Sequence, residues 1–511
     1  MNLARCWGPQ FLGLGESANG RYSDRRSLDA EGVMAALRWE VCLRRVGPGD
    51  GSEPIASASL LRPGGAEAKP ANFGLALQEA RVLLGALQRA VVQDQVNAYD
   101  AYRRPCLDCG RYRRIKEWRP RVFDTALGTV RVRVPRILAC LCEPEPLYED
   151  GEVAEYRETL CPIENLLPRR VTPEMSYLCA RAGATLTYRS AADRVGELCG
   201  ISRLSHMRVR RETMRIGEHI EDEQFRVGWF PRRCKRRSPR RFGLAIDSTV
   251  VPANIFQETS KIEVIAGRVE CDGRMGRRFA CAANRRGLTR MLVAAALRQE
   301  GWHSDREVDV VNDGANGMRS LVTDVAPRVA EPMLDWFHLA MKLHAIRSAL
   351  FANTFERIPE VIGRCRRLWT RVREALWRGR ASLAIELART LATTLAIAIS
   401  TLSSFYGSVA ATARGATLRL MEFLQHNATI LVDYARARRD GRRISTAPAE
   451  SVMNHLVNRR MSKRQQMRWS VKGAHLMLQR RVDLLNGYLE RRFRMLYPHF
   501  RSPDLRGAAG G

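Results

Sequence analysis

Five short apolar runs between residues 242 and 337 constrain the fold of this chain more than any other feature. They predict strands at 242–246, 262–269, 279–283, 308–312 and 333–337. Between the third and fourth runs, apolar residues at helical spacing predict a helix at 287–298. Because strands interspersed with helices are typical of an α/β core, we expect one sheet at 242–338, within a multidomain α/β protein.

The stretch from 339 to about 439 has a different composition. It is rich in Ala, Leu and Arg and has no strand signal, which predicts a block of helices. The predicted α/β core is still incomplete when this block begins. We therefore interpret residues 339–444 as an all-helical insertion and residues 445–500 as the completion of the core. Pro448 precedes the next predicted helical segment, at 449–455, and residues 501–511 are expected to form a flexible tail.

Two of the predicted strands end on an aspartate. Asp247 follows the run at 242–246, and Asp313 follows the run at 308–312. Ligands gather at the carboxyl ends of strands in an α/β sheet, and two carboxylates at one edge need a compensating cation. A pair of Mg²⁺ or Mn²⁺ ions supplies that charge and suits phosphodiester cleavage. The alternative is that each aspartate caps the turn after its strand.

A third carboxylate is expected from a helix packed on the sheet. Glu422 and Glu450 are the late candidates, and we favour Glu450 because it opens the helical segment after the insertion. A carboxylate in a first turn also interacts favourably with the helix dipole, which is the structural alternative for Glu450.

Four cysteines in two pairs frame a predicted hairpin at 100–150. Cys106 and Cys109 precede its alternating valines, and Cys140 and Cys142 follow them. Two thiol pairs about thirty residues apart can converge on one tetrahedral Zn²⁺. Such a closed site has no open position for chemistry, so we expect structural zinc in a zinc-ribbon-like hairpin. The alternative is that these cysteines are buried without a metal.

The chain before this hairpin divides into two segments. Residues 1–33 are rich in Gly, Arg and Ser without periodicity, and we expect them to form a disordered extension. A small α/β lead-in follows at 34–99, with short strands between 36 and 61 and an amphipathic helix at 74–99.

Residues 151–230 predict a helical DNA-binding region. Thr172 caps a helix that Pro173 opens, a second helix is expected at 188–198, and Gly200 marks a short break. A basic helix follows at about 204–216, so the outline is that of a helix-turn-helix. Its arginines are candidate DNA contacts: Arg208, Arg210, Arg211 and Arg215. A basic linker at 231–241 is either a phosphate-contacting arm or a solvated spacer.

The net charge favours a nucleic-acid partner. The chain has 84 Lys and Arg against 54 Asp and Glu, a formal net charge of +30. A polyanion would offset this surplus; the alternative is a protein that is merely basic in composition. No apolar run reaches the length of about 20 residues that a membrane span needs, because the longest, around 383–402, contains Glu386 and Arg389. Without a signal-peptide core at the N-terminus, we expect a cytoplasmic, nucleoid-associated protein with no membrane partner.

Two longer segments add to the three acids: 333–342, which reads Met-Leu-Asp-Trp-Phe-His-Leu-Ala-Met-Lys, and the basic region 460–476. Together with Asp247, Asp313 and Glu450, they resemble the DDE transposases of ISKra-type bacterial insertion sequences, a family related to the ISL and Mutator-like groups. The resemblance runs from about 34 to 500. It implies an RNase H-like catalytic core interrupted by the helical insertion.

The resemblance also implies roles for individual residues. Asp247, Asp313 and Glu450 correspond to the catalytic acids, which hold two Mg²⁺ or Mn²⁺ ions in each active site. Asp335 and His338 either hold a metal-bound water or a phosphate, or form a buried hydrogen-bonded pair. The basic residues behind Glu450 either clamp the DNA backbone or form a solvated face: Lys463, Arg464, Arg468 and Lys472. Trp469, in the same region, either stacks on an unpaired base or is a core residue.

The function that follows is DNA transposition. Hydrolysis would cut a phosphodiester bond at each end of the element, and the freed 3′-hydroxyl would then attack target DNA. The implied partners are double-stranded DNA, as terminal inverted repeats and as target, and at least a second copy of the chain. A non-catalytic DNA-binding regulator is the alternative, and a nuclease that cuts without joining would use the same metal site.

Overall fold

The computed structural model describes residues 36–46, 53–63, 69–140, 142, 159–226, 241–254, 260–282, 286–303, 306–314, 332–351, 359–462, 465 and 467–502. The protein is mixed α/β, and its chain divides into two compact units, Met1–Arg170 and Val171–Gly511. The extension predicted at 1–33, the basic linker up to residue 240 and the tail from 503 lie outside the described residues, as do Lys463 and Arg464.

The first unit contains two small sheets and one long helix. Its elements are β1 (Ala36–Arg45), β2 (Glu53–Pro63), a 3-10 helix (Pro70–Asn72), α1 (Leu77–Arg103), β3 (Ile115–Thr125), β4 (Gly128–Leu138), β5 (Thr159–Leu160) and α2 (Pro162–Leu166). β1 and β2 form an antiparallel pair, and β3, β4 and β5 form the second sheet. Val96 of α1 is buried with Phe123 and Val130 of the hairpin, so α1 and the hairpin share one core. The boundary predicted at residue 99 therefore runs through one packed body.

The second unit begins with three helices: α3 (Pro173–Thr185), α4 (Tyr188–Cys199) and α5 (His206–Arg226). Thr172 caps α3 by accepting a hydrogen bond from the Met175 N–H at 3.4 Å, with Pro173 in the first turn. Gly200 ends α4 in a left-handed conformation, at φ +69°, which glycine adopts without strain. Helix, turn and helix thus follow one another as predicted, and α5 continues past the predicted end at 216.

The central sheet of the second unit has the following strands in the described residues: β6 (Phe242–Pro252), β7 (Lys261–Cys271), β8 (Arg274–Ala282), β9 (Val308–Asn312) and β10 (Pro332–Leu334). Helix α6 (Arg286–Gln299) lies between β8 and β9 in the chain. The strand order is β10-β9-β6-β7-β8. β10, β9 and β6 run parallel, whereas β6, β7 and β8 are antiparallel neighbours.

Three of the predicted strand bounds are wrong by three residues or more. β8 begins at Arg274, five residues before its predicted start, because its pairing with β7 extends to Cys271. β6 continues beyond residue 246 to Pro252, because β7 pairs with it along its whole length. The strand predicted at 333–337 ends at Leu334, since Asp335 accepts a hydrogen bond from the Phe337 N–H and caps a helix that begins at Trp336. The end of β6 depends on its partner strand, and the end of β10 depends on a helix cap. Neither can be read from the apolar run itself.

The segment predicted as an insertion is helical where the structure describes it. Its elements are α7 (Trp336–Phe351), α8 (Glu360–Trp377), α9 (Ala381–Thr401), α10 (Ser404–Asn427), a 3-10 helix (Ala428–Ile430) and α11 (Tyr434–Arg439). Their core includes Val311 of β9 and Leu334 of β10, so it is continuous with the sheet edge. In the described part of the chain, α9 is the one helix long and apolar enough to cross a membrane. Leu387, Leu391 and Leu395 pack it into this core instead.

After this helical block the chain returns to the sheet. The last elements are α12 (Ala447–Val452), a π-helical segment (Met453–Asn458), α13 (Arg459–Met461), α14 (Val471–Leu485) and α15 (Leu489–Leu496). The Gln479 amide of α14 donates to the Ala280 carbonyl of β8 at 2.7 Å. The Trp336 N–H donates to the Ile444 carbonyl at 2.9 Å, so the block leaves the sheet and rejoins it at one place.

Candidate active site

Strand pairing brings three aspartates to one level of the sheet. β6 and β9 are parallel with Ala245 opposite Val311, so Asp247 and Asp313, each two residues further along, reach the same height. β9 and β10 are parallel with Leu334 opposite Asn312, which places Asp335 level with Asp313. All three carboxylates therefore lie where the paired segments of the parallel strands end. This is the edge at which α/β sheets bind ligands.

Asp247 lies within β6, at the point where β9 no longer accompanies it. The prediction that Asp247 ends its strand is therefore wrong. Burial raises the pKa of Asp247, and the negative charges of Asp313 and Glu450 raise it further. One carboxylate oxygen of Asp247 accepts the Ser248 N–H at 2.8 Å, and this hydrogen bond works to lower the pKa of Asp247. The three predicted acids are thus close enough to interact electrostatically.

A tight turn follows Asp313. Gly314 has φ +94°, a conformation that residues with a Cβ rarely adopt. A Cβ on Gly314 would lie 2.6 Å from the side-chain oxygen of Asn427. Asn427 is buried at the end of α10, and its amide donates to the Phe423 carbonyl at 2.9 Å. The last turn of α10 therefore packs directly against the turn that holds Asp313.

Asp335 is fully buried and joins α7 to the chain that leads into α12. One oxygen accepts the Phe337 N–H at 2.8 Å, and the other lies 2.7 Å from His338 Nδ1. The Thr446 hydroxyl donates to that second oxygen. Burial works to raise the pKa of Asp335, but these three hydrogen bonds together lower it.

His338 is held by Asp335 and faces the other aspartates. The hydrogen bond to Asp335 raises the pKa of His338, in opposition to burial. The charges of Asp313 and Asp247 also raise it, which places the imidazole near the acidic cluster. Because an ionised carboxylate only accepts hydrogen bonds, Nδ1 carries a proton, and Nε2 is the atom left for a further partner.

Glu450 is exposed in the first turns of α12. The helix begins at Ala447 with Pro448 in its first turn, so the predicted start at 449 is wrong by two residues. Proline fits there because a first-turn N–H has no partner within the helix. An open cavity of about 600 Å³ is lined by Glu450, Ser451, Asn454, His455, Asn458 and Arg459. Glu422, the competing candidate, is exposed on α10.

The segment after Glu450 winds as a π-helix, which the sequence analysis did not anticipate. Such segments are rare and are frequent at functional sites. The guanidinium of Arg481 is buried in α14 and donates to the carbonyls of Leu456 and His455 in this segment. It also donates to the Ala184 carbonyl of α3. Arg481 thus fixes the helix that carries Glu450, and a buried arginine in an amphipathic helix leaves no recognisable local signal.

The four predicted zinc ligands of the first unit form a cluster. The sulfur atoms of Cys106, Cys109, Cys140 and Cys142 all lie within 4.8 Å of one another. Cys106 and Cys142 are 3.4 Å apart, as are Cys109 and Cys140. A tetrahedron with Zn–S bonds of 2.3 Å has sulfur atoms about 3.8 Å apart, so the cluster fits a metal ion such as zinc. A hydrogen bond from the Cys142 N–H lowers the pKa of Cys140 to about 7, whereas the neighbouring thiols raise the pKa of Cys142. The positive charge of a bound metal would supply the force that deprotonates all four thiols.

The candidate DNA-binding arginines of α5 have different surroundings. Arg210 and Arg211 are exposed, whereas Arg208 is half-buried. Arg215 hydrogen-bonds to Ser176 at 2.9 Å and to Tyr497 at 3.2 Å. It also pairs with Glu212, the buried acid of α5, at 3.2 Å. The side chain of Arg215 therefore ties α5 to its neighbours inside the fold.

The basic region at 460–476 contributes both to the core and to the surface. Trp469 is 1% exposed and forms a parallel bridge with Ala253 beside the end of β6, so it is a core residue and cannot stack on a base. Arg460 is buried, with its guanidinium 4.8 Å from the centre of the Tyr188 ring and 5.4 Å from that of Trp469. Arg468 is exposed, and Lys472 forms an exposed ion pair with Glu218 at 3.1 Å.

Asp247, Asp313, Asp335, His338 and Glu450 thus belong to one electrostatic cluster, although they come from four separate stretches of the chain. Comparisons with models of known protein families and with curated proteins give no match to this chain. Its function has to be inferred from the chemistry and placement of these side chains.

Proposed function

We propose that this protein is a metal-dependent DNA transposase, with Asp247, Asp313 and Glu450 as the acids of its active site. The observation that carries the proposal is the placement of Asp247 and Asp313 at one sheet edge, within electrostatic range of Glu450. Asp247 and Asp313 stand level on adjacent parallel strands, and the charges of Asp313 and Glu450 both raise the pKa of Asp247.

The strand arrangement supports an RNase H-like core. Three antiparallel strands, β8-β7-β6, continue into the parallel strands β9 and β10. The helical block leaves after β10 and returns at Ile444, immediately before α12 and Glu450. This is the order in which the family resemblance places the first acid, the second acid, the insertion and the third acid.

The donor set suits two divalent cations. Carboxylate oxygens are the ligands that Mg²⁺ and Mn²⁺ prefer, and a cation would relieve the negative charges that raise the pKa of Asp247. Asp247, Asp313 and Glu450 would hold the ions. When bound, the ions stabilise the attacking and leaving oxygens of an in-line phosphodiester displacement.

The protein side chains around the acids position the DNA phosphate. Asp335 fixes the ring of His338 through Nδ1, so a protonated Nε2 can donate to a phosphate oxygen. In the first reaction a water oxygen bonds to phosphorus and the bond to the 3′ oxygen breaks, which leaves a 3′-hydroxyl on the element. In the second, that hydroxyl oxygen bonds to a target phosphorus, and the broken target bond leaves a new 3′-hydroxyl.

DNA recognition is assigned to surfaces on both units. Arg210 and Arg211 are exposed on the second helix of the helix-turn-helix outline, and Arg468 is exposed near the sheet. The cysteine hairpin adds a module that a zinc ion would stabilise. The partner is double-stranded DNA, as terminal inverted repeats and as target. Holding two ends requires at least two copies of the chain.

The test is a cleavage and strand-transfer assay on linear DNA that carries the gene with its flanking sequence, in the presence of Mg²⁺. Asp313→Asn removes one charge from the cluster and is expected to lower both products by more than about 100-fold, the upper end of the effect seen for residues that only support metal ligands. Asp440→Asn, at the exposed turn after α11, is the matched control and should keep wild-type activity.

Each outcome of this assay separates the alternatives. Equal activity of Asp313→Asn and wild type would refute the assignment of the acids. Product that is cleaved but never joined would indicate a nuclease and not a transposase. DNA binding without any product in wild type would favour a regulator.

A further inference from the structure

Helix α8 of the helical block carries a row of arginines that none of the proposed roles uses. Arg364, Arg367, Arg371 and Arg378, at its end, are all exposed. At 3.6 residues per turn they fall within an arc of about 60° on the helix surface. Among the residues that the structure describes, these four arginines form no ion pair. We call them the arginine stripe.

The arginine stripe belongs to a rigid helix. Ile362, Cys365, Leu368, Val372 and Leu376 on another side of α8 are buried in the core of the block. Two acids, Glu360 and Glu374, share the exposed side with the stripe and leave it with an excess of positive charge. A row of guanidinium groups on one side of a packed helix suits phosphate groups, because each guanidinium can donate two parallel hydrogen bonds.

One end of the stripe lies next to the candidate active site. The rings of Trp377 in α8 and Trp336 are 4.7 Å apart, and Trp336 directly follows Asp335. From there α8 runs back along α7, with Trp369 Nε1 donating to the Leu343 carbonyl at 3.1 Å. The stripe therefore starts at Arg378, close to the sheet edge, and extends away from it for about 21 Å at 1.5 Å per residue.

We propose that the arginine stripe binds the backbone of duplex DNA next to the bond that is cut. Its length of about 21 Å corresponds to roughly six base pairs at 3.4 Å each. The net charge of +30 favours a polyanion over an acidic protein as the occupant. The location of the cut rests on the proposed function, whereas the binding of DNA by the stripe does not.

The test compares two variants that lose the same charge. In the stripe variant, Arg364, Arg367, Arg371 and Arg378 are changed to Gln. In the control variant, four exposed arginines elsewhere on the block are changed to Gln: Arg373, Arg389, Arg414 and Arg419. Affinity for a random-sequence duplex of about 30 base pairs is measured without Mg²⁺, with zinc retained, from about 50 to 200 mM KCl. Thermal unfolding of both variants checks that the fold is intact.

Each phosphate contact adds about 0.9 to the slope of log affinity against log salt. The stripe variant is expected to lower this slope by about 3.6, and the control variant to keep the wild-type slope. An unchanged slope in the stripe variant would overturn the proposal and point to a partner other than DNA. An equal loss of slope in the control variant would also overturn it, because DNA would then bind through general surface charge. The absence of Mg²⁺ prevents cleavage, so the result is independent of the Asp313→Asn assay.

Discussion

At the scale of single residues, Asp335 links the candidate active site to the fold around it. It caps α7, accepts the Thr446 hydroxyl from the returning chain and holds the imidazole of His338. A buried carboxylate with three donors stays ionised, and its charge keeps His338 protonated over a wider pH range than a free histidine. The geometry therefore couples the stability of this region to pH.

His338→Gln is expected to reveal that coupling. Because the folded-state pKa of His338 is raised, its stabilisation is fully present below the unfolded pKa of about 6.5 and is lost as pH rises through the folded value. The His338 side chain is 41% exposed, so solvent screening limits the effect to about 1 kcal/mol. The free energy of unfolding, measured with urea in EDTA, should differ most between wild type and His338→Gln near pH 6 and least near pH 9. A difference that does not vary with pH would contradict the assignment.

Gly314→Ala tests the support of Asp313 by α10. The new Cβ would meet the Asn427 side chain at 2.6 Å and would strain a backbone at φ +94°. We expect a loss of stability of about 1–3 kcal/mol and a 10- to 100-fold loss of Mg²⁺ affinity, as for other residues that orient metal ligands. Calorimetric titration with Mg²⁺ measures the affinity. Gly287→Ala in α6 is the control, since a Cβ there meets open space and should slightly stabilise the helix. Wild-type Mg²⁺ affinity in Gly314→Ala would refute this role of the turn.

At the scale of elements, the β3–β4 hairpin shows how local sequence builds a metal site. Val130, Val132 and Val134 are buried while Arg131 and Arg133 are exposed, so the side chains alternate between core and solvent as a strand requires. The antiparallel pairing brings the cysteines before β3 close to those after β4. The strand pairing of the hairpin and the spacing of the cysteines are therefore both needed to bring the four thiols together.

Cys106→Ser is expected to abolish zinc binding at this cluster. Wild-type protein should contain about one zinc per chain, because four thiolates complete a tetrahedral site and three bind more weakly. Metal analysis of purified protein measures the content. Cys42→Ser changes an exposed cysteine of β1 and should keep the wild-type content. Equal zinc in Cys106→Ser and wild type would rule the site out.

The helix that carries Glu450 depends on elements far away in the chain. Its π-helical segment exposes carbonyls that Arg481 of α14 satisfies, and Arg481 also binds the end of α3. Unpaired buried carbonyls cost about 1–3 kcal/mol each, so the arginine and the π-helix form one unit. The position of Glu450 is thus set by α14 as well as by its own helix.

At the scale of the whole molecule, the helical block is part of the second unit's structure and not an appendage. Its core includes residues of β9 and β10, and α10 supports the turn after Asp313. Arg442 at the end of the block pairs with Asp309 of β9 at 3.0 Å, and Arg443 pairs with Glu270 of β7. The block is therefore attached to the sheet edge at several points.

Much of this arrangement was predictable from the sequence. The strand runs, the helical block, the Thr172 cap and the cysteine spacing each depend on residues that are neighbours in the chain. The grouping of Asp247, Asp313 and Glu450 is a hypothesis from strand ends and family resemblance, and the effect of the other two charges on the pKa of Asp247 is consistent with it. Their catalytic role stays a prediction until the cleavage assay is done.

The local pattern alone indicated most of the strands and helices and the spacing of the four cysteines, because periodicity, caps and spacing act within a few residues. Only the tertiary structure decided that β6 runs on to Pro252, that Trp469 and Arg215 are engaged inside the fold, and that Arg481 holds the π-helix. These features depend on partners distant in sequence. Burial and long-range hydrogen bonds exist only once the chain has folded.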